Sequence, residues 1–198
     1  MTVKAPRASA PHANAELEAH TDMSYRLTAF DHSTPLKKIV SGGQTGVDRG
    51  ALDAALGADF NCGGWVPGDR MAEDGVISDR YPLTPLPNGN TRQRTRLNVV
   101  ESDGTAILYD GHLSGGTRLT HDLCALVNRP RILISARETP DPIAAAKAIL
   151  KFIEDNRIET LNVAGPRASR WAGGYRFAAD VVSGVIFGLA SGLQQDVW

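Results

Sequence analysis

Three times along this chain a short apolar run ends in a glycine-bearing turn. Residues 38–41 lead into a turn with Gly42, Gly43, Gln44, Thr45, Gly46 and Asp48. Residues 105–109 lead through Asp110 into Ser114, Gly115, Gly116 and Thr117. Residues 160–164 lead into Gly165, Pro166, Arg167 and Ser169. The first two turns pass directly into helical patterns, over residues 47–56 and 117–127. Strands alternating with helices require parallel pairing, because a parallel strand is reached only by a crossover, and a parallel sheet needs both faces covered. The expected fold is therefore α/β: a single Rossmann-like domain, with a mostly parallel sheet and helices on both faces. On such sheets ligands sit beyond the carboxyl ends of the strands, which is where all three turns fall.

These turns suit anions. Glycine lets the backbone approach a ligand closely. The first amides of a helix lack intrahelical partners and carry the positive end of its dipole, so phosphates and other oxyanions bind there. The first turn matches neither a P-loop, since no Gly-Lys-Ser/Thr follows, nor a G-x-G-x-x-G dinucleotide fingerprint. Convergence of three such turns on one crevice points to a small anionic ligand.

The rest of the chain fills in around this frame. Residues 1–36 are rich in Ala, Pro, His and Thr and read as an N-terminal arm or tail, with a short helix over residues 15–23; the domain proper is residues 37–198. Residues 61–89 hold Pro67, Pro82, Pro85, Pro87, Gly68, Gly75 and Gly89, which exclude long regular elements. A loop of that length in a compact domain is usually functional, and here it is placed to cover the site. The carboxylates of Glu73 and Asp74 within it read as solvated, or else as meeting a cation or capping a turn. Residues 91–102 form a helix with Arg92 and Arg96 on one face and Arg94 and Asn98 on a neighbouring one. Residues 131–135 form a strand. Asp141 and Pro142 open a helix reaching residue 156. In the last helix, over residues 174–189, Phe177, Val181, Val182, Val185, Ile186 and Leu189 form a stripe for the core or a subunit contact.

Composition excludes several classes. With 198 residues and 42 % apolar content the chain can bury one substantial core. A formal net charge of −1 does not suggest a basic nucleic-acid-binding surface. No apolar run reaches the length that spans a bilayer, and no secretory h-region is present. Cys62 and Cys124 form no zinc or C-x-x-C pattern; they read as reduced thiols in a cytoplasmic protein. His112 and His121 lack metal-ligand spacing, and no Ser-His-Asp set or G-x-S-x-G elbow occurs.

Read as motifs, the same residues carry a family resemblance. Ser41-Gly42-Gly43-Gln44-Thr45-Gly46-Val47-Asp48-Arg49-Gly50-Ala51 is followed by Gly64-Trp65-x-Pro67-Gly68-x-Arg70-x-Ala72-Glu73-Asp74-Gly75. Then come Arg80-Tyr81-Pro82-Leu83, Glu101-Ser102-Asp103-Gly104-Thr105, Ser114-Gly115-Gly116-Thr117 and Asn162-Val163-Ala164-Gly165-Pro166-Arg167-x-Ser169. Together they resemble the molybdenum (cofactor) carrier proteins, over about residues 37–189. That family is similar to the LOG, or lysine-decarboxylase-like, group of Rossmann-type nucleotide-binding proteins.

The resemblance implies a homo-oligomer, a dimer or tetramer. It also implies a pocket for molybdenum cofactor (molybdopterin), a phosphate-bearing pterin carried without chemical change, with molybdate as a further ligand and molybdoenzymes as recipients. For such a ligand Arg167 is the first candidate for a charge-assisted contact, or else a salt bridge or cap. Ser114 and Thr117 offer hydroxyls beside the Gly115 and Gly116 amides, or Thr117 caps the helix. Asp48 accepts from a pterin amino group or from the adjacent turn's amides. LOG phosphoribohydrolases carry P-G-G-x-G-T-x-x-E with a catalytic Glu and an arginine on the preceding helix. Here Thr120 stands where that Glu would be, and Arg94 or Arg96 matches the arginine. Loss of the carboxylate favours binding over hydrolysis; a LOG-type hydrolase and a nucleotide-sensing module are the alternatives.

Overall fold

The computed structural model describes Met1 and residues 35–191. The arm expected over residues 1–36, and its helix over 15–23, otherwise lie outside the described residues. Leu36, just before the expected start of the domain, is packed in the core at 6 % exposure.

The chain runs β1 (Lys38–Val40), α1 (Val47–Gly57), β2 (Cys62–Gly63), β3 (Trp65–Pro67), β4 (Met71–Ala72), β5 (Gly75–Val76), β6 (Thr84–Leu86), α2 (Thr91–Val100), β7 (Gly104–Tyr109), α3 (Gly115–Leu126), β8 (Arg131–Ser135), α4 (Pro142–Asn156), β9 (Thr160–Ala164) and α5 (Gly174–Ser191). Five strands form the central sheet in the order β2-β1-β9-β7-β8, every pair parallel. Register is set by apolar residues: Ile39 stands opposite Leu161, and Ala106 opposite Val163. β7 is buried along Gly104–Leu108, as a strand covered on both faces must be.

α1, α4 and α5 pack together against one face. The stripe on α5 lies within the main core, alongside Leu52 of α1 and Ile149 and Ile153 of α4. α2 and α3 pack on each other at the other face, around Val99, Leu123 and Cys124. The helix ends have local causes. Asn90 accepts from the Gln93 amide at 3.0 Å while the Gln93 side chain accepts from the Asn90 amide at 2.9 Å, a reciprocal capping box that starts α2. Asp141 accepts from the Ile143 amide at 3.0 Å, with Pro142 in the first turn of α4. α4 ends at Arg157 in the left-handed region.

From β1 the chain crosses outward to β2, and from β7 outward to the opposite edge at β8. β9 then returns to fill the middle, between β1 and β7. The connections thus diverge from the β1-β9-β7 centre, the place where open α/β sheets form a crevice. The three glycine turns follow these three strands. The loop over residues 61–89 contains only short strands: β3 pairs in parallel with β6, and β4 with β5 as an antiparallel hairpin with Glu73 and Asp74 at its tip.

Candidate functional site

A cavity of about 460 Å³ opens at the carboxyl ends of β1, β9 and β7, a volume in the range of small-ligand pockets. Of the residues singled out from the sequence, it gathers Gln44, Asp48, Arg94, Ser114, Gly115, Gly116, Thr117, Gly165, Pro166 and Arg167 in its lining. Gly42, Gly43, Thr45, Arg96, Asn98 and Ser169 do not line it. Thr91, Thr95, Asp110, His112, Leu119, Thr120, Ala164 and Arg170 do.

The three turns differ in what they leave free. In the first, the Gln44 amide donates to Asp48 at 3.2 Å and the Thr45 amide to the Gln44 side chain at 3.0 Å. The Val47 amide donates to the Pro166 carbonyl at 3.3 Å. In the third, the Gly165 amide bonds Asp48, the Ala168 amide donates to Thr45 Oγ1 at 3.1 Å, and the Ser169 amide to Glu73 at 3.1 Å. Both turns therefore direct several of their amides at the chain's own oxygens, while those of Asp48 and Arg167 have no acceptor among the described residues. The second is open. Ser114 occupies the N-cap position of α3 without a side-chain cap, and among the described residues the amides of Gly115, Gly116 and Thr117 have no acceptor. α3 begins at Gly115, two residues before the start expected from sequence, so both glycine amides belong to the helix terminus.

Asp48 ties the first and third turns together. Burial pushes its carboxyl up from the ordinary value, against the opposing effect of Arg94 and the bonds from Gln44, Ser41 and Gly165. Arg94 Nη1 lies 3.7 Å from Asp48 Oδ2, beyond hydrogen-bond reach, and Arg94 Nε is buried without a partner. The guanidinium occupies the space a side chain at Gly42 would take: an added Cβ would stand 1.5 Å from Nη1. Gly42 thus serves Arg94, not a direct ligand approach.

Glu73 takes the turn-capping role that the sequence left as an alternative to solvation. It is not solvated but bound to the third turn. Its carboxylate accepts from Ser169 Oγ at 2.6 Å, from the Ser169 amide and from Thr45 Oγ1, and Arg167 Nε lies 3.4 Å away. The Ser169 and Thr45 bonds hold its carboxyl below the usual range. Asp74 pairs with Arg49, at 2.8 Å to Nη2, which lowers its carboxyl also. The hairpin tip is therefore fastened across the first and third turns, and Thr45 and Ser169 serve that fastening.

Asn98 faces away from the cavity. It is buried, accepts from the Trp65 amide at 2.7 Å and donates to the Trp65 carbonyl at 3.0 Å. Arg96 is exposed. The face of α2 that meets the cavity is Thr91, Arg94 and Thr95, a three- and four-residue spacing present in the sequence. Arg170, one turn beyond Arg167, has no side-chain partner among the described residues. Asp110 is paired with Arg137 at 2.6 Å. Three arginines and an open helix terminus thus face two carboxylates that already have partners, so the cavity favours anions. Thr120 Oγ1 donates to the Gly116 carbonyl at 3.0 Å and supplies no acid or base to the wall. No three His, Cys, Asp or Glu among the described residues are placed to hold a metal ion. No described helix is long and apolar enough to cross a membrane.

Comparison with known proteins agrees with the motif reading. No curated protein matches the chain. A crystal structure of a protein from Syntrophus aciditrophicus SB, described as a "putative molybdenum carrier protein", is 37 % identical over 77 % of this chain and 96 % of that one, with a TM-score of 0.74. The model of the circularly permutated YpsA SLOG family matches residues 39–186. Both agree with the resemblance to molybdenum carriers and LOG-related Rossmann proteins, and the chain belongs to the circularly permutated YpsA SLOG family.

Proposed function

We propose that the cavity binds molybdenum cofactor, or a related oxyanion such as molybdate, as cargo that is carried unchanged. The observation that carries this reading is the uncapped N-terminus of α3, whose Gly115, Gly116 and Thr117 amides open into a cavity that Arg94, Arg167 and Arg170 also line. A phosphate seated there gains charge-assisted hydrogen bonds and the helix dipole. The name of the solved relative supports molybdenum as the cargo's metal. A carrier of this kind is a cytoplasmic homo-oligomer that hands its load to molybdoenzymes.

A second reading, a LOG-type nucleotide hydrolase, draws on Asp48. A carboxyl whose ionisation is disfavoured inside a cavity has the character of a general acid. Against it, Asp48 is already bonded to backbone amides, and Thr120 replaces the carboxylate of the hydrolase motif.

Thermal denaturation with molybdenum cofactor, molybdate, tungstate, AMP, ATP and NAD separates these readings. A ligand at a hundred times its Kd stabilises the fold by about 2.7 kcal/mol, a rise of about 5–10 °C for a domain of this size. Stabilisation by the molybdenum species without the nucleotides is the expected result. Stabilisation by nucleotides alone, with release of free base from AMP, refutes the carrier reading.

A further inference from the structure

Glu73 lies behind the cavity wall, not in it. Its partners Thr45 and Ser169 do not line the cavity, whereas Arg167 does. Arg167 is therefore the one residue among the described partners of the Glu73 carboxylate that also faces the ligand space. The carboxylate meets the guanidinium at Nε, 3.4 Å away. Among the described residues no other group binds that side chain, so its terminal N–H groups remain for an anion. Arginine presents its donors as a rigid planar fork; fixing one edge orients the other.

From this we infer that Glu73 is a positioning residue for the anion site, holding Arg167 toward the cavity and coupling the β4–β5 hairpin to ligand binding. The inference rests on the anion-binding reading of the cavity. The geometry excludes the opposite role, a plug that the ligand displaces, because Glu73 does not occupy the cavity. The hairpin is independently fastened by Arg49 to Asp74 and by the Gln44 side chain, which accepts from the Glu73 amide at 3.0 Å. Removing the Glu73 charge therefore leaves the hairpin anchored while Arg167 loses its guide.

The test is a double-mutant cycle on the intact protein, with Glu73→Gln, Arg167→Gln and the pair, titrated calorimetrically with molybdopterin and with molybdate. Glu73→Gln is expected to weaken binding about three- to fivefold, the scale of one partly exposed ion pair. In the Arg167→Gln background the same change is expected to have no further effect. A spectroscopic readout accompanies it: the ¹⁵N-resolved Arg167 Nε–H resonance, assigned by its absence in Arg167→Lys, shifts in Glu73→Gln without ligand. Additive losses, or an unmoved resonance, overturn the positioning role while leaving the anion site intact. Failure of the wild-type protein to bind either probe defeats the anion-site reading, and this inference with it.

Discussion

Replacing Gly116 by alanine drives stability and binding in opposite directions. A Cβ built at Gly116 meets nothing within 4 Å, and Gly116 is not among the glycines in the left-handed region. The fold therefore accepts the methyl without strain. In a helix, exchanging glycine for alanine at a compatible site stabilises by about 0.4–1 kcal/mol, chiefly by restricting the unfolded chain. For a domain of this length that raises Tm by about 1–4 °C. The same methyl projects into open space beside the three free amides of α3, where the anion is proposed to sit. Loss of one charge-assisted hydrogen bond costs about 1.5–3 kcal/mol, which is about a 10- to 100-fold loss of affinity. Gly115 cannot serve for this experiment, because its φ of 51° would strain any L-residue. Thermal denaturation and calorimetric titration of the same preparation read both effects. A Tm at or above wild type with affinity unchanged refutes the placement of the anion on α3.

Gly42→Ala acts on Arg94: the new Cβ stands 1.5 Å from Nη1 and 2.9 Å from Asp48 Oδ2, so the guanidinium must leave its seat. Ligand affinity is expected to fall by about tenfold or more, and Arg94→Ala added to it should lower affinity no further; an additive loss in titration would show that Gly42 acts elsewhere. pH separates the two tethering carboxylates, Glu73 and Asp74, from Asp48. Glu73 and Asp74 have lowered values, so the stability they add is full above their unfolded values of about 4.5 and 3.8 and is lost as pH falls through their folded ones. Asp48 is raised, so its contribution is full below about 3.8 and is lost as pH climbs through its folded value. Urea midpoints measured across acidic pH should lose part of their low-pH fall in Glu73→Gln and of the opposing slope in Asp48→Asn; unchanged profiles would refute the assigned shifts.

Much of this was legible in the sequence, for local reasons. Strand, turn and helix are written in short-range patterns, and the parallel class follows from their alternation. That three turns meet in one crevice follows from parallel strands having a common carboxyl end. Which turn stays open was not legible. It depends on Asp48 bonding Gly165 and on Glu73 bonding Ser169, contacts between residues about a hundred positions apart, which no local pattern encodes. Asn98 shows the limit of helical spacing. It lies four residues after Arg94, but its amide is taken up by the Trp65 backbone, outside the site. Arg170 and the Thr91-Arg94-Thr95 face were readable as one-turn neighbours of residues already chosen. The place of β9 in the sheet was not, since strand order is a matter of tertiary pairing.

That place bears on how the chain is made. On a ribosome, β1, β2, β7 and β8 emerge before β9. Until residues 160–164 appear, β1 and β7 each present a hydrogen-bonding edge with no neighbour, the feature that invites pairing with other chains. The third wall of the cavity, with Arg167 and Arg170, arrives later still. A nascent or truncated chain ending before β9 is thus both an aggregation hazard and unable to assemble the pocket. The cavity proposed to hold the anion cannot form until residues 160–170 have emerged.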